Sequence, residues 1–178
     1  MTRRVKTVRN FAIVLVILAV VFWRAALYLT SDACVLASVE ELGYGTCEII
    51  RRDAYEDGYV YALRAVDGEY VFHRTERFGP FWHTGGGGGS MDFEPRDGAP
   101  IYTTMGGNDE ICYDICKRHN PDIARIEWVC KDGTVIAADD WTQDIILTVI
   151  SSGLENAQGN VRAYDTAGNL VYEKEVIG

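Results

Sequence analysis

Cys112, Cys116 and His119 are the residues whose types and spacing come closest to a chemical grouping in this chain. On a helix they fall at i, i+4 and i+7 of one face, a spacing that can hold zinc through two thiolates and an imidazole. A fourth ligand has to come from elsewhere, and neither His73 nor His83 has a spacing that marks it. The competing reading places both cysteines on a buried apolar stripe, with one of them bridged. Five cysteines, Cys34, Cys47, Cys112, Cys116 and Cys130, permit at most two disulfides and leave one thiol over. The expected pairs are Cys34 with Cys47, across the Gly43-Tyr44-Gly45 turn, and Cys116 with Cys130; Cys112 stays free.

Catalytic chemistry finds little to work with. Nucleophilic catalysis needs a base beside the nucleophile, and the chain has three histidines and no Gly-x-Ser-x-Gly. Asp53, Glu56 and Asp57 resemble half a calcium loop, but Tyr55 stands where an oxygen ligand is wanted, so a polar turn is expected. Gly85 to Gly89 lacks the Lys-Ser/Thr and following helix of a phosphate loop, and reads as a flexible loop rather than an anion nest. The expectation is a protein that is not an enzyme and has no cofactor.

The stretch that sets the compartment is Phe11 to Trp23, thirteen residues without charge, extended past Arg24 to Thr30. Arg3, Arg4, Lys6 and Arg9 precede it, and no acid occurs before Asp32. Residues 1–10 are therefore expected as a basic cytoplasmic tail and residues 11–30 as a transmembrane helix, with everything beyond exported by the positive-inside rule. Ten leading residues are too few for a cytoplasmic output domain. The competing reading is a cleaved leader, cut after Ser31-Asp32-Ala33. Five of the 17 basic residues and none of the 26 acids precede residue 31, which leaves twelve against 26, a net −14, on the rest. Such a surface argues against nucleic acid as a partner, and against adhesion to an anionic membrane or anionic wall polymer.

The remaining residues read as α+β, mainly antiparallel. Residues 31–84 hold a short amphipathic helix from Asp32 to Leu42, on the apolar positions Val35, Val39 and Leu42, with Asp32 expected to cap its start and Gly43 its end, and then antiparallel strands. Asp67-Gly68 is a two-residue hairpin turn, and Phe78-Gly-Pro-Phe-Trp82 a tight aromatic one. Residues 85–107, with five consecutive glycines, Pro95 and Pro100, read as a loop or linker. Residues 108–178 open with a second expected helix, Asn108 to His119, flanked by acids at its start and by Lys117 and Arg118 at its end. Strands alternating at Ile126, Trp128 and Cys130, an apolar run Ile145 to Ile150 and a hairpin around Thr166-Ala-Gly-Asn169 follow, in a sandwich-like pattern.

Phe78-Gly79 with Trp82 and the glycine run, Ile123 to Glu127 with Asp132-Gly133-Thr134, and Val161-Arg-Ala-Tyr-Asp165 with Gly168-Asn169-Leu170 resemble small membrane-anchored proteins of unknown function from Gram-positive bacteria. The last hairpin is similar to the end of an immunoglobulin-like sandwich. The resemblance implies an envelope location and transfers no site residues. The expected function is a membrane-anchored extracytoplasmic structural or interaction module, with the membrane as one partner and an envelope protein as another. The alternative is a thiol or zinc protein centred on Cys112, Cys116 and His119.

Overall fold

The computed structural model describes residues 3–24, 26–87, 89–91, 93, 98–107, 111–150 and 159–176. Among the described residues two helices precede twelve strands: α1 Arg3–Arg24, α2 Ser31–Glu41, β1 Cys47–Tyr55, β2 Gly58–Ala65, β3 Tyr70–Phe78, β4 Phe81–Gly86, β5 Ser90–Met91, β6 Ile101–Gly107, β7 Cys112–Arg118, β8 Ile123–Cys130, β9 Val135–Ala138, β10 Ile145–Ile150, β11 Gly159–Asp165 and β12 Leu170–Val176. All strand pairings are antiparallel. The strands form three sheets, ordered β1-β2-β3-β4 with β5 on β3, β10-β7-β6, and β12-β11-β8-β9.

Strand alternation stacks these sheets in layers. On β2, Tyr61 and Leu63 turn toward α2 and join Val35 and Val39, while Val60 and Ala62 turn the other way. There they meet Tyr113 and Ile115 of β7 and Ile145 and Leu147 of β10. Cys112 and Cys116 leave the opposite face of β7 and pack with Ile126, Trp128, Val161 and Ala163 of the third sheet. The central sheet is thus covered on both faces. That explains why β10 reads as a nearly continuous apolar run rather than an alternating one.

The second expected helix is corrected. Cys112 to Arg118 is the middle strand of the central sheet, hydrogen-bonded to β6 on one side and β10 on the other; Asn108 to Glu110 lie outside the described residues. Helical and strand periods both satisfy Ile111, Cys112, Ile115 and Cys116, and two neighbouring strands with unpaired backbone decide between them. Part of the expected linker is also ordered as strand: Gly85 and Gly86 finish β4, and 101–107 is β6. The first helix forms as Ser31–Glu41, with Thr30 rather than Asp32 as N-cap, its hydroxyl accepting from Ala33 N at 3.2 Å. Asp32 instead holds Arg52 Nη1 at 2.6 Å and the Tyr61 hydroxyl at 2.8 Å.

The expected transmembrane helix over residues 11–30 is corrected too. α1 ends at Arg24, the chain turns through Ala26 at φ 47°, and Tyr28 pairs with Trp82 as an isolated bridge. The uncharged part of α1, Phe11 to Trp23, is about 20 Å long at 1.5 Å per residue, against a hydrocarbon layer of about 30 Å. Among the described residues no helix is long and apolar enough to cross a membrane.

Candidate functional site

The expected zinc grouping does not assemble. On a strand, Cys112 and Cys116 share one face with Asp114, and His119 lies beyond the strand end, its backbone N–H donating to Pro100 O at 2.8 Å. Among the described residues no three His, Cys, Asp or Glu side chains are placed to hold a metal ion. The expected disulfides are corrected as well: Cys34, Cys47, Cys112, Cys116 and Cys130 are all free and buried. Cys47 Sγ turns back on its own connecting turn, 3.8 Å from Gly45 O and 4.0 Å from Tyr44 O. Burial pushes the Cys34 thiol up to about 11 and Cys112 to about 12, and raises Cys116 well above its ordinary value. Thiols held protonated in this way are poor nucleophiles and poor metal ligands.

Between the two cysteines of β7 stands a group that the helical reading hid. Asp114 has no solvent exposure, and Thr103 Oγ1 of β6 donates to its Oδ1 at 2.5 Å. The Trp128 indole N–H approaches closely enough to favour the ionised form, but it misses hydrogen-bond geometry, so Asp114 Oδ2 and Trp128 Nε1 have no hydrogen-bond partner. Burial raises the carboxyl to about 7, above the pull of these donors. A perturbed carboxyl is a frequent mark of a functional site. This one has no opening to a substrate and acts on stability.

His73 and the glycine run form a second grouping. His73 Nδ1 lies 2.8 Å from Gly87 O, which only accepts, so Nδ1 carries the proton and Nε2 accepts from Thr84 Oγ1 at 2.9 Å. Burial lowers the His73 pKa, which keeps the ring neutral. Arg74 donates through Nε and Nη2 to Gly85 O and pairs with Glu76 Oε1 at 3.1 Å. A Cβ on Gly85 would lie 2.8 Å from two Glu76 atoms, which is why the run can dock here. Beside it a cleft of about 570 Å³ opens between the first two sheets, lined by Tyr55, Glu56, Asp57, Arg74, Glu76, Arg77 and Ile111. Its Tyr55 hydroxyl is already committed to Thr75 O at 3.1 Å.

The third grouping is the outermost. The β3–β4 turn carries Phe78, 62% exposed, and Trp82, whose ring lies 5.4 Å from that of Tyr59. Arg52 sits 5.1 Å above the Tyr59 ring. Tyr28 and Trp82 exchange two backbone hydrogen bonds of 2.8 Å, which fixes the exit of α1 beside this turn. Tyr59, Phe81 and Trp82 are half-buried here, and the Tyr28 pairing joins residues 54 positions apart and carries no local signal. Comparison of the chain with protein-family models, curated proteins and solved structures finds no match.

Proposed function

We propose that the protein is an interaction module held to lipid by α1, with a layered β body as its working part. The supporting observation is the surface of α1. Every side chain from Thr7 to Val21 is exposed, and the large apolar ones among them are each 45–69% exposed. Apolar surface on that scale is not left in water. A protein groove would cover one stripe, whereas this helix is apolar around its whole circumference from Phe11 to Val21, which suits a lipid environment. Arg3, Arg4, Lys6 and Arg9 add attraction to headgroups at its leading end. The proposal needs contact with acyl chains, not passage across the bilayer. The resemblance to small membrane-anchored proteins agrees with it.

Flotation of the full chain with phosphatidylcholine vesicles tests this reading. The protein should rise with the vesicles, and Leu15→Glu with Ile17→Glu should leave it in the dense fraction. A wild-type chain that stays in the dense fraction, as a monomer or as a soluble oligomer, overturns the proposal.

A further inference from the structure

Resting on the lipid contact of α1, we infer that the β3–β4 turn is a second lipid contact, which seats the tip of the first sheet in the headgroup layer of an electroneutral membrane. The chain itself supplies the placement. From Arg24 at the end of α1 to Tyr28 is four residue steps, a reach of at most about 14 Å. Tyr28 is hydrogen-bonded in both directions to Trp82, so the turn cannot lie far from wherever α1 enters lipid.

The residue types at this point fit that environment. Leu29 is 79% exposed and Phe78 62% exposed, on either side of the Tyr28–Trp82 bridge. Trp82 with Tyr59 supplies the amphipathic rings that favour the membrane–water boundary. Arg77 is paired directly across from Trp82; its Nε donates to Gly79 O at 3.1 Å within the turn, and the exposed guanidinium keeps further N–H groups that can meet a phosphate. Glu56 and Asp57 occupy the neighbouring β1–β2 turn at the same end of the sheet. These two acids oppose a strongly anionic surface, so the contact rests on ring and leucine insertion rather than on net charge.

The test uses the full chain and phosphatidylcholine vesicles, some with brominated acyl chains. Leu29→Ser with Phe78→Ser should weaken partitioning about tenfold or more, because two exposed apolar side chains lose their transfer to lipid. Brominated vesicles should quench Trp82, read as the signal lost in Trp82→Phe. Neither effect should change between about 0.1 M and about 0.5 M NaCl. Equal partitioning of wild type and double variant, with quenching unaffected by Trp82→Phe, overturns the turn contact and leaves the α1 reading standing. No partitioning of the wild type overturns both. Weakening that is reversed by salt overturns insertion of the tip.

Discussion

Thr103 Oγ1 of β6 donates a hydrogen bond of 2.5 Å to Oδ1 of Asp114 on β7, a side chain with no solvent exposure. The carboxyl lies on the face of the central sheet that packs against Trp128, between Cys112 and Cys116. Both neighbouring thiols are held protonated by burial, and a thiol has no cationic form that could pair with the Asp114 carboxylate. One oxygen is satisfied, and the other would be costly to leave ionised. The layer therefore prefers the neutral acid.

That preference predicts an inverted pH dependence. Asp114 titrates at about 7 in the fold against 3.8 for an ordinary carboxyl, so the folded chain binds its proton more tightly than the unfolded one. Its contribution is fully present below pH 3.8 and is lost as pH rises to about 7. The loss over that window is about 4 kcal/mol. Asp114→Asn should flatten it, and urea unfolding of both proteins at pH 5 and pH 8, roughly the middle and the far side of the window, measures the difference. Parallel pH profiles would remove Asp114 as its source.

Gly58 shows how closely the first sheet is drawn together. A Cβ there would lie 1.9 Å from Thr75 O and 2.9 Å from the Tyr55 hydroxyl. Backbone on the neighbouring strand cannot move aside as a flexible side chain can. Gly58→Ala should cost about 3 kcal/mol or more, the range of a forced steric clash. Gly159→Ala, 1.9 Å from Val129 O, should do the same to the third sheet. A midpoint shift of only a few tenths of a molar in urea for either variant would contradict the packing.

Most strands were legible from the chain because turn residues bracket short runs of aromatic and β-branched side chains. Tyr61 and Leu63 alternate with residues of the other face, and Asp67-Gly68 and Asp132-Gly133 mark their turns. Of the central sheet, only β10 was legible, as the apolar run Ile145–Ile150. Buried on both faces, β7 lost its alternation, and its Cys112, Cys116 and His119 spacing suggested a helix. The helical reading gave Asp114 no role, although no acid among the described residues is more buried. The aromatic and β-branched run Ile101-Tyr-Thr-Thr104 was the local cue for β6, outweighed by the glycines and prolines around it. The cysteine bridges failed for a related reason: spacing cannot report that Cys47 Sγ points back toward Gly45 O.

A clamp at the edge of the first sheet gives another measurable effect. Arg51 donates to Asp140 O and Asp140 Oδ2, each at 2.6 Å, and pairs with Asp53 Oδ2 at 3.2 Å. It thereby ties β1 to the segment ahead of Trp141, whose indole donates to Ala124 O at 2.9 Å. The Asp140 side chain is 63% exposed, so solvent screens much of the pair. Arg51→Ala should cost about 2 kcal/mol, chiefly through the charged hydrogen bonds to the carbonyl and to Asp53. Arg51→Lys should recover less than half, because a point charge cannot replace the planar fork. Full recovery by lysine in thermal unfolding would reduce the clamp to simple charge attraction.

The thiols provide the most direct check on the layered core. All five cysteines are unbridged and buried, and Cys34, Cys112 and Cys116 have no exposure at all. Burial also raises their pKa values, so little thiolate exists at neutral pH even where a reagent could enter. A thiol-exchange reagent added to the native protein without reductant should therefore register almost no rapid reaction. Cys47, at 9% exposure, and Cys130, at 4%, should lead the slow phase, since modest local opening reaches them first. In denaturant, still without reductant, the count should rise to all five. A denatured count of three or one would mean one or two disulfides and a different packing around the cysteines. Rapid modification of Cys112 or Cys116 in the native protein would mean that the central sheet is open on the face that packs against Trp128.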